Sequence, residues 1–373
     1  MNTDWQQDGA LTQFADVPVQ TQAAVFEPQE WRFQFFGNAG EYFKIWIVNL
    51  FLTIITLSFY APWAKVRRLR YFYGNTELGG YRFDFTALPT RILVGRIIAL
   101  VLFFVFSLVS EIDPMITLGV SVVMMAVFPW LVRSTMRFRA RNTKFGNSRF
   151  YFSASMGQTY WLFVKCTLAV LLSFGLLYPL ALYWFKSYQI DHLRAGHLPF
   201  KLKASVGGFY AAVLIPYLLM LVVLIIAVVV VMILSGVFTN GMNMSEADME
   251  MATGWLGSIF SLIYIVMLGY FVPLTQGYLF QTTWQDVRVG NSRISTDLKP
   301  SKFAWIKFTN YLATVFTLGM LHPWGVVRLY RYQAETMKVY AADNPEDLMN
   351  EAQQDVNAVG EEIADVFDID ISL

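Results

Sequence analysis

Cysteine, histidine and charge are all scarce in this 373-residue chain: one Cys, three His, and Asp, Glu, Lys and Arg together at 15%. The single thiol, Cys166, excludes an intrachain disulfide framework and a multi-cysteine metal site, and it reads as a packing residue inside an apolar run. His192, His197 and His322 are too scattered to form a metal site, so no cofactor is expected. There is no Walker-type loop, His-Glu-x-x-His, nucleophile elbow or cluster of intramembrane carboxylates, so the chain does not read as an enzyme. Residues 1–30 are polar and lack the basic-then-apolar pattern of a signal peptide. Lys and Arg are missing from two long windows, 97–132 and 204–287, and none follows Lys338.

Apolar residues are abundant instead. A hydrophobic fraction of 56% and a mean hydropathy of +0.45 exclude an ordinary soluble domain. Aromatic residues reach 17% and cluster beside apolar runs, as membrane-interface belts do. Stretches of about 20 apolar residues cross a hydrocarbon core. Two helical hairpins meet that length, at 92–132 and 209–280.

The stretch Asn49–Tyr71 returns as Asn310–Tyr332 without a gap, pairing Thr56 with Thr317, Leu57 with Leu318, Pro62 with Pro323 and Trp63 with Trp324. Arg67 and Arg70 match Arg328 and Arg331. A fainter copy centres on Pro179, keeping Ser173, Gly175 and Tyr188 but placing Leu180 and Trp184 where Trp and Arg stand elsewhere. A second unit, Gly-x-x-Arg-(Phe/Ile), recurs within 75–85, 142–152 and 285–295, and reads as a short β-hairpin around a turn glycine. His197–Lys203 is a poorer relative. Trp31–Phe36 alternates as a strand does. Internal repeats are therefore placed at about 31–86, 142–203 and 285–340, in a membrane domain of residues 30–340. An N-terminal arm, 1–29, and an acidic tail, 341–373, flank it.

Charge sets the expected topology. The connections around Lys65–Arg70, Arg133–Arg149, Lys186–Lys203 and Arg288–Lys302 are basic. Those inside the two hairpins carry Glu111, Asp113, Glu246, Asp248 and Glu250. Basic loops stay cytoplasmic. Seven full crossings violate this rule in either orientation. If segments 42–60, 161–178 and 305–321 enter and return on the cytoplasmic side, every basic loop lies inside. At 19 residues, Tyr42–Tyr60 is long enough to span at roughly 28 Å, so re-entry requires a tilt or break, with Thr56/Ser58, Ser173/Gly175 and Thr317/Gly319 as break points. The expected fold class is an all-α polytopic membrane protein. It has helical hairpins, three Pro-Trp-broken re-entrant segments and short cytoplasmic β-hairpins.

Pro62 and Pro323 each open a helix, and helix N-termini attract anions. Arg67, Arg70, Arg328 and Arg331 follow on one face at i and i+3, forming a candidate site for an anion or lipid headgroup. The competing reading is that they hold lipid phosphates and set topology. Asn49 and Asn310 are polar groups in apolar sequence and need partners, either another helix or a ligand. His322, directly before Pro323, is a turn residue or a proton-sensitive one. After Lys338 the tail is acidic, with apolar residues at helical spacing from Leu348 to Phe367. It suits docking on the protein's own basic face or on a partner, or stays solvated.

The repeated Asn-x-x-Leu-Thr-x-x-Thr-Leu-x-x-Tyr-x-Pro-Trp-Ala, the Arg-x-x-Arg-Tyr after it and the Gly-x-x-Arg-Phe-x-Phe that follows resemble the YjgN-like family of bacterial inner-membrane proteins. The resemblance covers about residues 30–340, departs from the motif at Leu180 and Trp184, and implies a multi-pass inner-membrane location without a reaction. The expected function is binding or moving a small solute, ion or anionic lipid. The alternative is a membrane scaffold or regulatory subunit that recruits a cytoplasmic or membrane protein through its cytoplasmic face and acidic tail. The lipid bilayer is the first expected partner, and no nucleic acid is expected.

Overall fold

In the computed structural model, which describes residues 29–110, 114–241 and 245–342, the chain repeats one order, strand–helix–helix–strand, five times. The first unit is β1 (Gln29–Phe35), α1 (Ala39–Ile55), α2 (Ala61–Gly74) and β2 (Thr76–Leu78). The second is β3 (Tyr81–Phe85), α3 (Pro89–Ser110), α4 (Pro114–Arg141) and β4 (Thr143–Phe145). The third is β5 (Ser148–Phe152), α5 (Met156–Leu172), α6 (Tyr178–Asp191) and β6 (Leu193–Ala195). The fourth is β7 (Leu198–Leu202), α7 (Val206–Gly241), α8 (Glu246–Trp284) and β8 (Val287–Val289). The fifth is β9 (Ser292–Thr296), α9 (Pro300–Phe316), α10 (His322–Glu335) and β10 (Met337–Ala341). The expected N-terminal arm before Gln29, the acidic residues Glu111 and Asp113, and the tail beyond Ala342 lie outside the described residues.

The all-α expectation is overturned. The short hairpins are not separate ornaments: the ten strands close into one antiparallel barrel, in which β10 pairs with β1. Local sequence shows each Gly turn but not the joining of strands about 300 positions apart. An isolated two-stranded hairpin is also only marginally stable. Closure pairs the backbone of every strand on both sides and removes the exposed edges. The hairpin turns follow from glycine. Gly79 and Gly80 both have positive φ, as a type I′ turn requires, and Gly146, Gly196 and Gly290 take the left-handed position of the other three.

Strand alternation sorts the two walls. Phe33 and Phe83 stack at 5.8 Å although β2 lies between their strands, a contact that only the concave wall permits. Phe145 joins them at 4.7 Å from Phe83. The outer wall is charged, with Arg32, Glu77, Arg82, Lys144, Arg149, Lys201, Arg288 and Lys338 in cross-strand register.

Each helix pair leaves the barrel and returns to it. Successive helices pack side by side, and α10 comes back against α1, so the helices form a ring over one mouth of the barrel. A proline stands fourteen positions before the second strand of every unit: Pro62, Pro129, Pro179, Pro273 and Pro323. In the first, third and fifth units it opens the second helix, whereas α4 and α8 run straight through it. Among the described residues, four segments are long and apolar enough to cross a membrane: Pro89–Leu108, Met115–Arg141, Val206–Val237 and Asp248–Trp284.

The three short pairs share one turn. The hydroxyls of Thr56, Ser173 and Thr317 accept the N–H of Tyr60, Leu177 and Leu321 at 3.0, 2.9 and 3.1 Å. Two consecutive left-handed residues follow each hydroxyl: Leu57–Ser58, Phe174–Gly175 and Leu318–Gly319. The turn closes with N–H groups of Ser58, Gly175 and Gly319 on carbonyls five positions back, satisfying the helix C-terminus.

Close approach of α8 to the start of α9 depends on Gly277, where an added Cβ would stand 2.9 Å from Pro300 Cα. Backbone cannot yield as a side chain can. Gly277→Ala is expected to destabilise the protein by roughly 1–3 kcal/mol, read by thermal unfolding in detergent. An unchanged midpoint would show that the two helices separate freely.

Candidate functional site

The functional groups gather where helices meet the barrel mouth. Each first helix is joined to its strand by three residues, and the second helix of a unit holds these joints. Tyr71 accepts the Asn38 N–H and donates to the Asn38 carbonyl, both at 2.8 Å. Tyr332 does the same to Lys299, at 2.9 and 3.2 Å. Burial pushes the Tyr71 phenol up to about 12, which keeps it neutral and able to do both.

The arginines reach onward to the next unit. Arg70 donates from Nε to Phe85 O at 3.1 Å and from Nη2 to Ala87 O at 3.2 Å. Arg133 donates to Ala154 O at 2.7 Å. Arg331 donates to Gly37 O at 2.8 Å, which ties the fifth unit to the first. Arg70 and Arg331 thus stand as carbonyl clamps between units.

Arg67 and Arg328 point elsewhere, toward the first helix of their own unit. Arg328 Nη1 reaches Asn310 Oδ1 at 3.0 Å and Thr309 Oγ1 at 2.9 Å, with its guanidinium 5.1 Å from the Trp324 ring. Asn310 Nδ2 donates to Gly325 O at 2.7 Å. In the first unit Arg67 reaches Asn49 Oδ1 at a longer 3.4 Å. Asn49 and Asn310 are both buried, so these contacts satisfy the polar groups that the apolar sequence left in need of partners. The structure brings each Arg to its Asn but does not bring the four arginines together. His322 sits beside Trp46, ring centroids 6.2 Å apart.

A cavity of about 270 Å³ opens at the barrel mouth, lined by Met136, Arg139 and Ala140 of α4, Thr143, Phe150 and Phe152 of the wall, and Gln189 and Leu193. Its wall residues belong to the inward set, since Phe150 and Phe200 approach to 6.2 Å across β6. None of these residues is evident from the apolar runs alone. The signal is the Pro129-Trp130 pair, which repeats Pro62-Trp63 and places Arg139 and Gln189 ten positions after their prolines.

The paired Asn–Arg contacts make a graded prediction. Asn310→Leu removes the side-chain donor to the buried Gly325 carbonyl and one of the two oxygens that Arg328 holds, and should cost roughly 1–3 kcal/mol. Asn49→Leu, which removes the longer contact, should lower the unfolding midpoint less. Equal losses would mean that the hydrogen bonds do not set the difference.

The family described as "Bacterial protein of unknown function (DUF898)" matches over residues 30–366, and the chain belongs to it. Over 145 residues the chain is 30% identical to the "Inner membrane protein YjgN" of Escherichia coli O157:H7, covering 39% of this chain and 36% of that protein. The protein of the same name in strain K12 gives the same values. That of Salmonella typhimurium LT2 is 30% identical over 128 residues, 34% of this chain and 32% of its own. The chain thus spans about a third of the length of the curated relatives it matches. No solved structure matches it.

Proposed function

We infer, from membership of a family with inner-membrane relatives, that this integral membrane protein binds or conducts a small anionic solute or lipid within its ring of helices. The barrel sits at the cytoplasmic face, and the three short helix pairs enter the bilayer and return. One observation carries this reading: the tips of the short pairs are apolar and bare. Leu57, Phe174 and Leu318 are 86%, 97% and 95% exposed, beside Phe59, Leu176 and Met320. Burying one such side chain in hydrocarbon is worth roughly 1.5–3 kcal/mol.

Length agrees. The first helices of these pairs reach roughly 26 Å and the second roughly 21 Å, short of a core about 30 Å thick. The tips therefore end among the acyl chains, on the side where the four membrane-length helices extend. The basic segments between each proline and the barrel come to lie near the headgroups, where Arg67 and Arg328 meet anionic groups. The positive-inside rule places the Arg- and Lys-bearing barrel in the cytoplasm.

Single cysteines test the topology in the full-length protein in intact cells and vesicles. A cysteine at Leu57 or Leu318 should resist charged maleimide from both sides and, when carrying a fluorophore, be quenched by deep spin-labelled lipid. A cysteine at Lys201 should label only from the cytoplasm. Labelling of either tip, or of position 201, from the periplasm would overturn the re-entrant arrangement.

Lipid retention tests the ligand. The Arg67→Gln, Arg328→Gln double variant should insert normally yet keep severalfold less anionic phospholipid through purification, measured by native mass spectrometry. An unchanged lipid complement would remove these two arginines from any binding role.

A further inference from the structure

The cavity at the barrel mouth has an uneven chemistry. Met136, Ala140, Phe150, Phe152 and Leu193 give it an apolar floor, and Arg139, Thr143 and Gln189 supply its polar edge, with no acid among them. Lys186 lies one turn from Gln189 on the same face of α6. Lys65, on α2, is exposed and lies within the field of Arg139. Among the described residues, the side chains of Lys65, Arg139 and Lys186 have no ion-pair partner and no hydrogen-bond acceptor. Arg70 and Arg331 are otherwise engaged, on backbone carbonyls. Arg139 lines the cavity and is exposed, as Lys65 is, while Lys186 is half-buried, so these donors stand open to an anion that reaches the apolar floor.

We propose that this cavity binds a small amphiphile, an apolar group capped by a phosphate-type anion, with the anion at Arg139 and the apolar part against Phe150 and Phe152. Lys65 and Lys186 support its charge, and Gln189 offers it hydrogen bonds. A guanidinium suits this role because its planar donors match two phosphate oxygens at once. The volume is near the lower limit of about 300 Å³ seen for small-molecule sites, so a short apolar group fits and a full diacyl chain must leave the cavity between helices. The site deepens the reading of an anion-binding membrane protein and rests on it. Its anion comes either from a soluble phosphate ester or from a lipid headgroup.

Full-length protein in a neutral detergent separates these sources by titration, with intrinsic tryptophan fluorescence and thermal unfolding as readouts. Hexyl phosphate is the soluble probe, dioctanoyl phosphatidate the lipid probe, and hexanol and inorganic phosphate are the half-ligands. At least one phosphate-bearing amphiphile should bind tenfold or more tightly than either half-ligand, and the tighter of the two names the source. Arg139→Gln should weaken it at least tenfold, Arg139→Lys less, and Lys186→Gln by an intermediate factor. Should Arg139→Gln fail to fold, Phe150→Leu with the charges intact should weaken the amphiphile while leaving inorganic phosphate unchanged. Equal binding of amphiphile and hexanol, or wild-type affinity in both Arg139 variants, would overturn the site. Such a result leaves the cysteine topology and the Arg67/Arg328 lipid retention untouched, so the two readings fail separately.

Discussion

Closure of the barrel is the constraint on which everything else depends. Within a unit, the two strands pair over only three or four residues, as with Phe33–Phe35 against Thr76–Leu78, so no unit is stable by its own ladder. Stability comes from completing the ring, and the last join, β1 with β10, links positions about 300 residues apart. That seam is reinforced on both sides. On the outer wall Lys338 lies between Glu30 and Asp297, at 3.4 and 2.5 Å, and these partners raise its pKa. At the mouth, Arg331 crosses from the last unit to the Gly37 carbonyl of the first.

A closed ring also fixes where the helices can go. Both ends of every pair return to one mouth, so pairs of different length hang from one level and differ only in how far they reach. The shared proline marks a plane roughly 20 Å from the barrel, thirteen helical residues away. In the short units a hydroxyl and two left-handed residues precede it and the chain turns back. In α4 the residues before Pro129 continue the helix, and Tyr160 donates to Ala126 O at 2.8 Å, beside the carbonyl that a mid-helix proline leaves without a donor. Two left-handed non-glycine residues at Leu57 and Ser58 mark how firmly the turn is imposed.

Much of this was legible in the residues. The apolar hairpins, the Gly turns and the Pro-Trp breaks all read correctly as local features, because each depends on neighbours within a few positions. The barrel did not, because strands of three to seven residues, separated by up to 84 positions in the fourth unit, carry no sign of their distant partners. Pro129-Trp130 lies inside an apolar run long enough to span, and that length hides its likeness to Pro62-Trp63. The roles of the arginines were equally hidden. Nothing in Arg-x-x-Arg-Tyr says that its first member meets an asparagine on the same unit's first helix while its second meets a carbonyl of the next unit.

Equal frames with unequal side chains turn this architecture into a site. Ten positions after the proline, the five units carry Phe72, Arg139, Gln189, Thr283 and Gln333. Phe72 packs against Phe35 and Tyr330 and closes its sector of the mouth. Arg139 and Gln189, in neighbouring units, leave theirs open over Phe150 and Phe152. A fivefold-symmetric mouth would present either a uniform plug or a uniform ring of charge. Breaking the symmetry on one side gives a concave place where apolar wall and unpaired cation meet, which is the least a protein needs to hold one amphiphilic anion in one orientation.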